Sequence, residues 1–276
     1  MINKTVLITA LARDCNYSLI RNIPLVEKLR ESFAKSYVLV VENDSIDGTK
    51  ETLINWQKQS AGVKLVMNDF NTLTIPEISS DYPDPGSSMY RISKMVKYRN
   101  VYIDYANNFE EEIDYLIVID IDIISFSVSG VINAIIKAPS DWGGLFANGC
   151  QYWRLGKLDL FRRQYDLFAF KENITDVLNS KYRFAHKRSI DACISKNAYY
   201  ECISAFGGVG IYKWNVVRGQ KYVAIQNPDN PKEALAEHIP FNESIISKGY
   251  KNYIVRDMCV DYGQGDLKMF LRLLMP

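Results

Sequence analysis

Tyr115-Leu116-Ile117-Val118-Ile119-Asp120-Ile121-Asp122-Ile123-Ile124 is an unbroken apolar run, rich in β-branched residues, interrupted only by two carboxylates. A run of this kind reads as a strand buried on both faces, as in the middle of a parallel sheet. The two-residue period of an extended chain puts Asp120 and Asp122 on the same side. A carboxylate left alone in an apolar interior is very costly unless it is paired, hydrogen-bonded or bound to a metal. The strand is therefore expected to end near Asp120, so that both acids emerge at its carboxyl end, where ligands bind in open α/β sheets. Two convergent carboxylates there suit a hard divalent cation holding phosphate oxygens. The same spacing also suits a strand-end turn whose acids cap the next helix.

The rest of the composition narrows the setting. At 276 residues the chain has room for one large α/β domain or two small ones. A formal net charge of +1 gives no electrostatic argument for nucleic acid as a partner. Cys15, Cys150, Cys193, Cys202 and Cys259 are odd in number and form no CxxC pair, which fits a reducing compartment and no disulfide framework. The start, Met1-Ile2-Asn3-Lys4, runs into an apolar segment without a signal-peptide layout, and no apolar run reaches the length of a membrane span. A cytoplasmic protein is expected. His186 and His238 are the only histidines, which limits the imidazole chemistry open to it.

Outward from the acid pair, Thr5 to Leu11 is a strand followed by the polar turn Ala12 to Asn16. Apolar residues from Leu19 to Phe33 recur at helical spacing, with Pro24 hinting at a kink or a split helix. Tyr37 to Glu42 is a second strand, and Asp47-Gly48 turns into a helix from Thr49 to Gln59, with Asp47 or Thr49 as its N-cap. Val63 to Met67 is a third strand, and the βαβαβ order predicts a parallel sheet with right-handed crossovers. Residues 68 to 88, rich in Pro and Ser, make a long loop of the kind that is functional or mobile. A helix over Met89 to Phe109 leads to the acid-bearing strand, and a shorter one spans Val128 to Lys137. Trp142 to Gly149 is a strand closed by glycines, and Gln151 to Lys187 reads as irregular structure around a cleft. Phe206 to Tyr212 is a glycine-rich strand whose missing side chains at Gly207 and Gly208 admit a ligand or backbone closely. Glu237-His238 stands ahead of an amphipathic helix that has Pro240 in its first turn and Gly249 as its stop, before a last strand at Tyr253 to Val260. The apolar, mildly basic tail Leu267 to Met275 is a docked terminal helix or a peripheral contact with the inner face of a membrane.

Taken in order, these motifs resemble those of GT-A type nucleotide-sugar glycosyltransferases. Asp120-Ile121-Asp122 is similar to the family's DxD motif, and Asp47-Gly48-Thr49 to its D-G-T helix start. Arg99-Asn100 precedes the metal strand, Gly207-Gly208 resembles the glycine strand facing the acceptor, and Glu237-His238 stands where relatives carry a Glu-Asp pair. Within the fold the pattern looks most similar to the capsule-associated α-1,3-mannosyltransferases of fungi and their bacterial relatives. The resemblance implies one GT-A domain with a mostly parallel α/β sheet: residues 1–124 bind the nucleotide sugar, and 125–276 form an irregular acceptor-binding half. It implies a GDP- or UDP-sugar donor, a glycan acceptor, and Mn²⁺ or Mg²⁺ as cofactor. Thr9, Ala10, Arg13, Glu42, Asn43, Asp44, Arg99 and Asp120 would hold the nucleotide sugar, and Gly207 and Gly208 the acceptor. Asp120 and Asp122 would bind the metal. Many relatives use a later histidine as third ligand; no histidine follows His238, so His238, Asp257, Asp261 or water would complete the shell.

The chemistry follows from the leaving group. A diphosphate departing from an oxocarbenium-like sugar needs its developing charge neutralised, which a cation on Asp120 and Asp122 would do. Oxygen ligands favour Mg²⁺ or Mn²⁺ over zinc. Arg13 or Arg99 would add phosphate contacts. Glu237 or His238 would serve as general base in an inverting enzyme, or position the acceptor in a retaining one. A sugar nucleotidyltransferase, or a catalytically degenerate sugar-binding protein on the same fold, is the alternative. A nucleotidyltransferase usually carries a glycine-rich phosphate loop after the first strand, and Leu11 to Asn16 contains no glycine. For the same reason no dinucleotide-binding fingerprint is present.

Overall fold

Residues of alternate parity along the first strand go to opposite sides of a sheet: Val6, Ile8 and Ala10 enter one apolar cluster and Leu7 the other. The same division recurs in the acid-bearing strand, with Ile117 and Ile119 on one side and Leu116 and Val118 on the other. Both faces are covered, which is why these strands are almost wholly apolar. A computed structural model describes residues 1–155, 158–173, 193–228 and 230–264. The predicted tail helix lies outside the described residues, as does most of the second half of the segment expected to be irregular.

The strands are β1 (Ile2–Ala12), β2 (Phe33–Glu42), β3 (Val63–Met67), β4 (Tyr115–Asp120), β5 (Ser125–Phe126), β6 (Trp142–Leu155), β7 (Leu158–Gln164), β8 (Tyr199–Cys202), β9 (Val209–Lys213) and β10 (Lys251–Gln264). They form one sheet in the order β3-β2-β1-β4-β9-β6-β10-β5, with β7 beside β6 and β8 beside β10. Pairings β1–β2, β1–β4, β2–β3 and β6–β10 are parallel, whereas β9 runs antiparallel to both β4 and β6. From β3 to β10 along this path every strand therefore points the same way except β9.

Helices α1 (Asn16–Arg30), α2 (Thr49–Gln59) and α4 (Val128–Ile136) cover one face, through Leu19, Val26, Leu53, Trp56 and Val131 among others. Helices α3 (Met89–Asn107) and α5 (His238–Ser247) cover the other, through Tyr102, Ile103, Ile239, Phe241 and Ile245. Single helical turns at Pro85–Ser87 and Trp214–Val217 are left unnumbered. Among the described residues no helix is long and apolar enough to cross a membrane.

The element boundaries of α2 and β3 match the sequence reading, whereas α1 ends at Arg30 and Phe33, expected in the helix, opens β2. Pro24 removes one backbone donor but does not split the helix, which runs unbroken through it. At the start of α2, Gly48 takes the cap position with φ +92°, and Asp47 Oδ1 accepts the Thr49 N–H at 3.1 Å. The largest correction concerns the residues after Gly149. β6 continues to Leu155 and pairs antiparallel with β7, Cys150 opposite Gln164, where irregular structure was expected. Buried Asn148 holds this hairpin: its Oδ1 accepts Gln164 Nε2 at 2.7 Å, and its Nδ2 donates to the Arg256 carbonyl at 3.0 Å.

Candidate active site

β4 ends at Asp120, and the turn after it is fixed on several sides. The Asp120 N–H donates to the Gly208 carbonyl at 2.9 Å, and the Ile124 N–H to the Asp261 carbonyl at 2.9 Å. From α1, the fully buried Asn22 amide donates to the Ile121 and Ile123 carbonyls at 3.0 and 2.7 Å, and Ser18 Oγ to the Asp122 carbonyl at 3.0 Å. Ile121 and Ile123 go into the core while Asp120 and Asp122 face a cleft of about 480 Å³ at the carboxyl ends of β1 and β4. This is where the period-2 argument puts them.

The two acids destabilise each other's charge. Burial, then the neighbouring Asp122, pushes the Asp120 carboxyl well above the ordinary carboxylate range, against the opposing pull of Arg99. Burial likewise raises Asp122. The contact to Asp120 is long, from the Tyr165 hydroxyl to Oδ2 at 3.5 Å. Two crowded carboxylates of this kind are what a hard cation relieves, and their oxygens are the donor set Mg²⁺ or Mn²⁺ takes. The pair therefore fits a divalent ion. Among the described residues no three His, Cys, Asp or Glu side chains come together as a metal site.

The opposite wall comes from α3 and the start of α5. Arg99 is 5% exposed and donates from Nε to Glu237 Oε1 at 2.7 Å and from Nη1 to the Tyr102 hydroxyl at 3.3 Å. Burial alone would raise Glu237, but Arg99 prevails and holds its carboxyl below the usual range. His238, 3% exposed, stacks on Phe206 with ring centroids 4.1 Å apart and meets the Tyr222 edge at 5.6 Å. Burial, with the Arg99 charge adding to it, pulls His238 down to about 3, so the ring is neutral. Neither of its ring nitrogens has a protein partner, although the residue lines the cleft.

The remaining residues expected to bind ligand fall into two groups. Arg13 and Asn43 line the cleft. Arg13 Nη1 donates to Thr74 Oγ1 at 2.7 Å and lies 3.7 Å from Asp44 Oδ2. Asp44, at φ +55°, accepts the Asn71 N–H at 2.8 Å; this bond and its neighbours outweigh burial and keep the carboxyl low. Thr9, Ala10 and Glu42 are sealed in the sheet, at 0%, 3% and 0% exposure. Thr9 Oγ1 donates to the Ile117 carbonyl and Glu42 Oε1 accepts the Ser45 N–H, so both brace the loops whose later residues reach the cleft.

Gly207 and Gly208 differ from expectation in lying outside the strand, while the close backbone approach expected of them is found. They form a turn at φ +65° and +92°, and the strand starts at Val209. A Cβ on Gly207 would lie 2.3 Å from the Ala147 carbonyl oxygen, so the missing side chain serves close backbone packing. Phe206, just before them, is the residue of this segment that lines the cleft. Sequence reading missed Arg91, Tyr165, Asp166 and Tyr262, which line it too. Tyr165 and Tyr262 stack with ring centroids 3.5 Å apart. For Tyr165 and Asp166 the signal was the aromatic density of residues 151–170.

No protein-family model matches the chain, and no curated protein matches it. Solved structures do share its fold. A mannosyltransferase from Pyrobaculum calidifontis, in complex with GDP-Man and Mn²⁺, gives a TM-score of 0.53 at 11% identity, covering 94% of this chain and 57% of its own. S. aureus TarS (1–349) gives 0.46 at 12%, covering 98% and 63%. Glucosyl-3-phosphoglycerate synthase from Mycobacterium tuberculosis, in complex with UDP, gives 0.42 at 9%, covering 97% and 75%. This chain thus spans less than two thirds of the length of the first two neighbours. At these identities the likeness to the mannosyltransferase is one of fold alone: the single, mostly parallel α/β sheet flanked by helices described above is of the GT-A type.

Proposed function

We propose that the protein is a metal-dependent glycosyltransferase that moves a sugar from a nucleoside diphosphate sugar to a hydroxyl acceptor. The carrying observation is the crowded pair Asp120 and Asp122 at the carboxyl end of β4, on the floor of a cleft. The Mn²⁺ and GDP-Man bound to the P. calidifontis enzyme suit the same reading, and GDP- or UDP-sugars are the donors to try first. In that role Asp120 and Asp122 hold the cation, which neutralises the departing diphosphate.

The other residues have separable tasks. Asn43 and Asp44 face the nucleoside, and Arg13 and Arg91, at the cleft wall, supply positive charge for phosphate oxygens. Arg99 is committed to Glu237, so it shapes the site electrostatically more than it grips phosphate. His238 offers a neutral ring with unpaired nitrogens, suited to a sugar hydroxyl. The first half of the chain then binds the nucleotide sugar, and the second half the acceptor glycan.

Thermal-shift measurements with GDP-, UDP-, dTDP- and CMP-sugars, with and without Mn²⁺, test this directly. One donor should raise the melting temperature by about 5–10 °C only when Mn²⁺ is present, the size expected for a ligand at roughly 100 times its Kd. Asp122→Asn should abolish the metal dependence. No metal-dependent stabilisation by any donor would sink the proposal.

A further inference from the structure

The cleft contains another carboxyl, Asp166, in the turn that follows β7. The turn is anchored by the preceding residue, whose N–H donates to the Gly149 carbonyl at 2.8 Å. Asp166 itself sits at φ +61°, its main-chain carbonyl accepts the Ala169 N–H at 3.2 Å, and the backbone N–H groups of Gly207 and Ala169 favour its charged carboxylate. Glu237 at the N-cap of α5, Arg99 from α3, Asp120 from β4, and Tyr165 and Tyr262 are the charged or titratable groups that face it.

A group that deprotonates a hydroxyl must be both reachable and basic. Glu237 is neither: its side chain is 6% exposed, ion-paired to Arg99, and held at low proton affinity. His238 is nearly sealed, and its ring binds a proton only weakly. Asp166 is half-buried and open to the cleft. Burial, then Glu237, raises its carboxyl to about 7 despite the two backbone donors. That matches the proton affinity a general base needs near neutral pH.

We propose that Asp166 is the catalytic base that takes the proton from the acceptor hydroxyl during sugar transfer, a role that rests on the glycosyltransferase reading. The O–H proton passes to an Asp166 carboxylate oxygen. The hydroxyl oxygen bonds to the anomeric carbon of the donor as the bond from that carbon to the diphosphate breaks, and the electron pair leaves with the nucleoside diphosphate. A single displacement of this kind inverts the anomeric configuration.

Asp166→Asn separates this role from a structural one. Its amide oxygen can face the same backbone N–H groups, the main-chain bond from Ala169 is unchanged, and asparagine tolerates positive φ. The assay is binding of GDP-mannose and UDP-glucose with Mn²⁺ by calorimetry, together with nucleoside diphosphate release with water or methyl mannoside as acceptor. Asp166→Asn should bind the donor within about three-fold of wild type, with KM unchanged, while kcat falls about 100-fold or more. Asp166→Glu keeps a carboxylate one methylene further out and should turn over faster than Asp166→Asn. An Asp166→Asn enzyme with kcat within about three-fold of wild type, or an Asp166→Glu enzyme no faster than Asp166→Asn, overturns the assignment alone. Wild-type protein that binds no nucleotide sugar overturns the glycosyltransferase reading, and the base with it.

Discussion

His238 shows how far a residue's surroundings can move it from its ordinary behaviour. Its imidazole is enclosed by Phe206 and Tyr222 and lies near the Arg99 charge, so it stays neutral down to a pH of about 3. In the unfolded chain it would take up a proton near pH 6.5. Because the folded value is depressed, the stability this difference contributes is full above pH 6.5 and is lost as the pH falls toward 3. The wild type should therefore lose on the order of 2 kcal/mol more than His238→Gln between pH 6.5 and 4.5, read from urea unfolding at each pH. Equal slopes for the two proteins would place the histidine in water. At this scale the sequence was legible where a polar residue broke a pattern. Asp120 and Asp122 interrupt an apolar strand, and Glu237-His238 precedes a helix with a clear stop. Asp166 broke no pattern, because its neighbours Tyr165, Leu167 and Phe168 follow no single period. Thr9 and Ala10 are sealed in the sheet, and the first residue of β1 to line the cleft is Leu11.

The acid-bearing turn depends on an element that carries no acid. α1 presents Asn22 to the Ile121 and Ile123 carbonyls, and nothing in the helical pattern around Asn22 distinguishes it from a solvated position. Asn22→Ala leaves two buried carbonyls short of a donor and should cost about 1–3 kcal/mol. It should also weaken Mn²⁺-dependent donor binding, since the turn between the two acids loses its support; calorimetry on the folded variant checks this. Gly207→Ala probes the neighbouring turn. A methyl group there meets the Ala147 carbonyl in a backbone conformation that alanine avoids, so a lowered melting temperature is expected. The elements of the first 120 residues were readable because each strand and helix keeps one period. The β6–β7 hairpin was not, because Gln151 to Gln164 mixes aromatic and basic residues on both faces, and buried Asn148, which fixes it, reads in sequence as a turn residue.

Across the whole molecule, α3 and α5 are joined by the ion pair of Arg99 and Glu237, separated by 138 positions in the chain. Arg99→Met strands a buried carboxylate and should cost about 3–5 kcal/mol in urea unfolding. Arg99→Met with Glu237→Leu should be more stable than Arg99→Met alone, because the stranded charge is gone. The βαβ repetition made the parallel half of the sheet foreseeable. The insertion of β9 between β4 and β6 was not, since a pairing between positions more than 90 residues apart leaves no local trace. That insertion sets an order of assembly. β1 to β3 and the helices between them bury one another through nearby partners, and such contacts form early. The Asp120 N–H must wait for the Gly208 carbonyl, and the Ile124 N–H for that of Asp261. On a ribosome the two carboxylates would emerge long before the strands that lock them in place, so the acid-bearing turn is among the last parts of the molecule to take its shape.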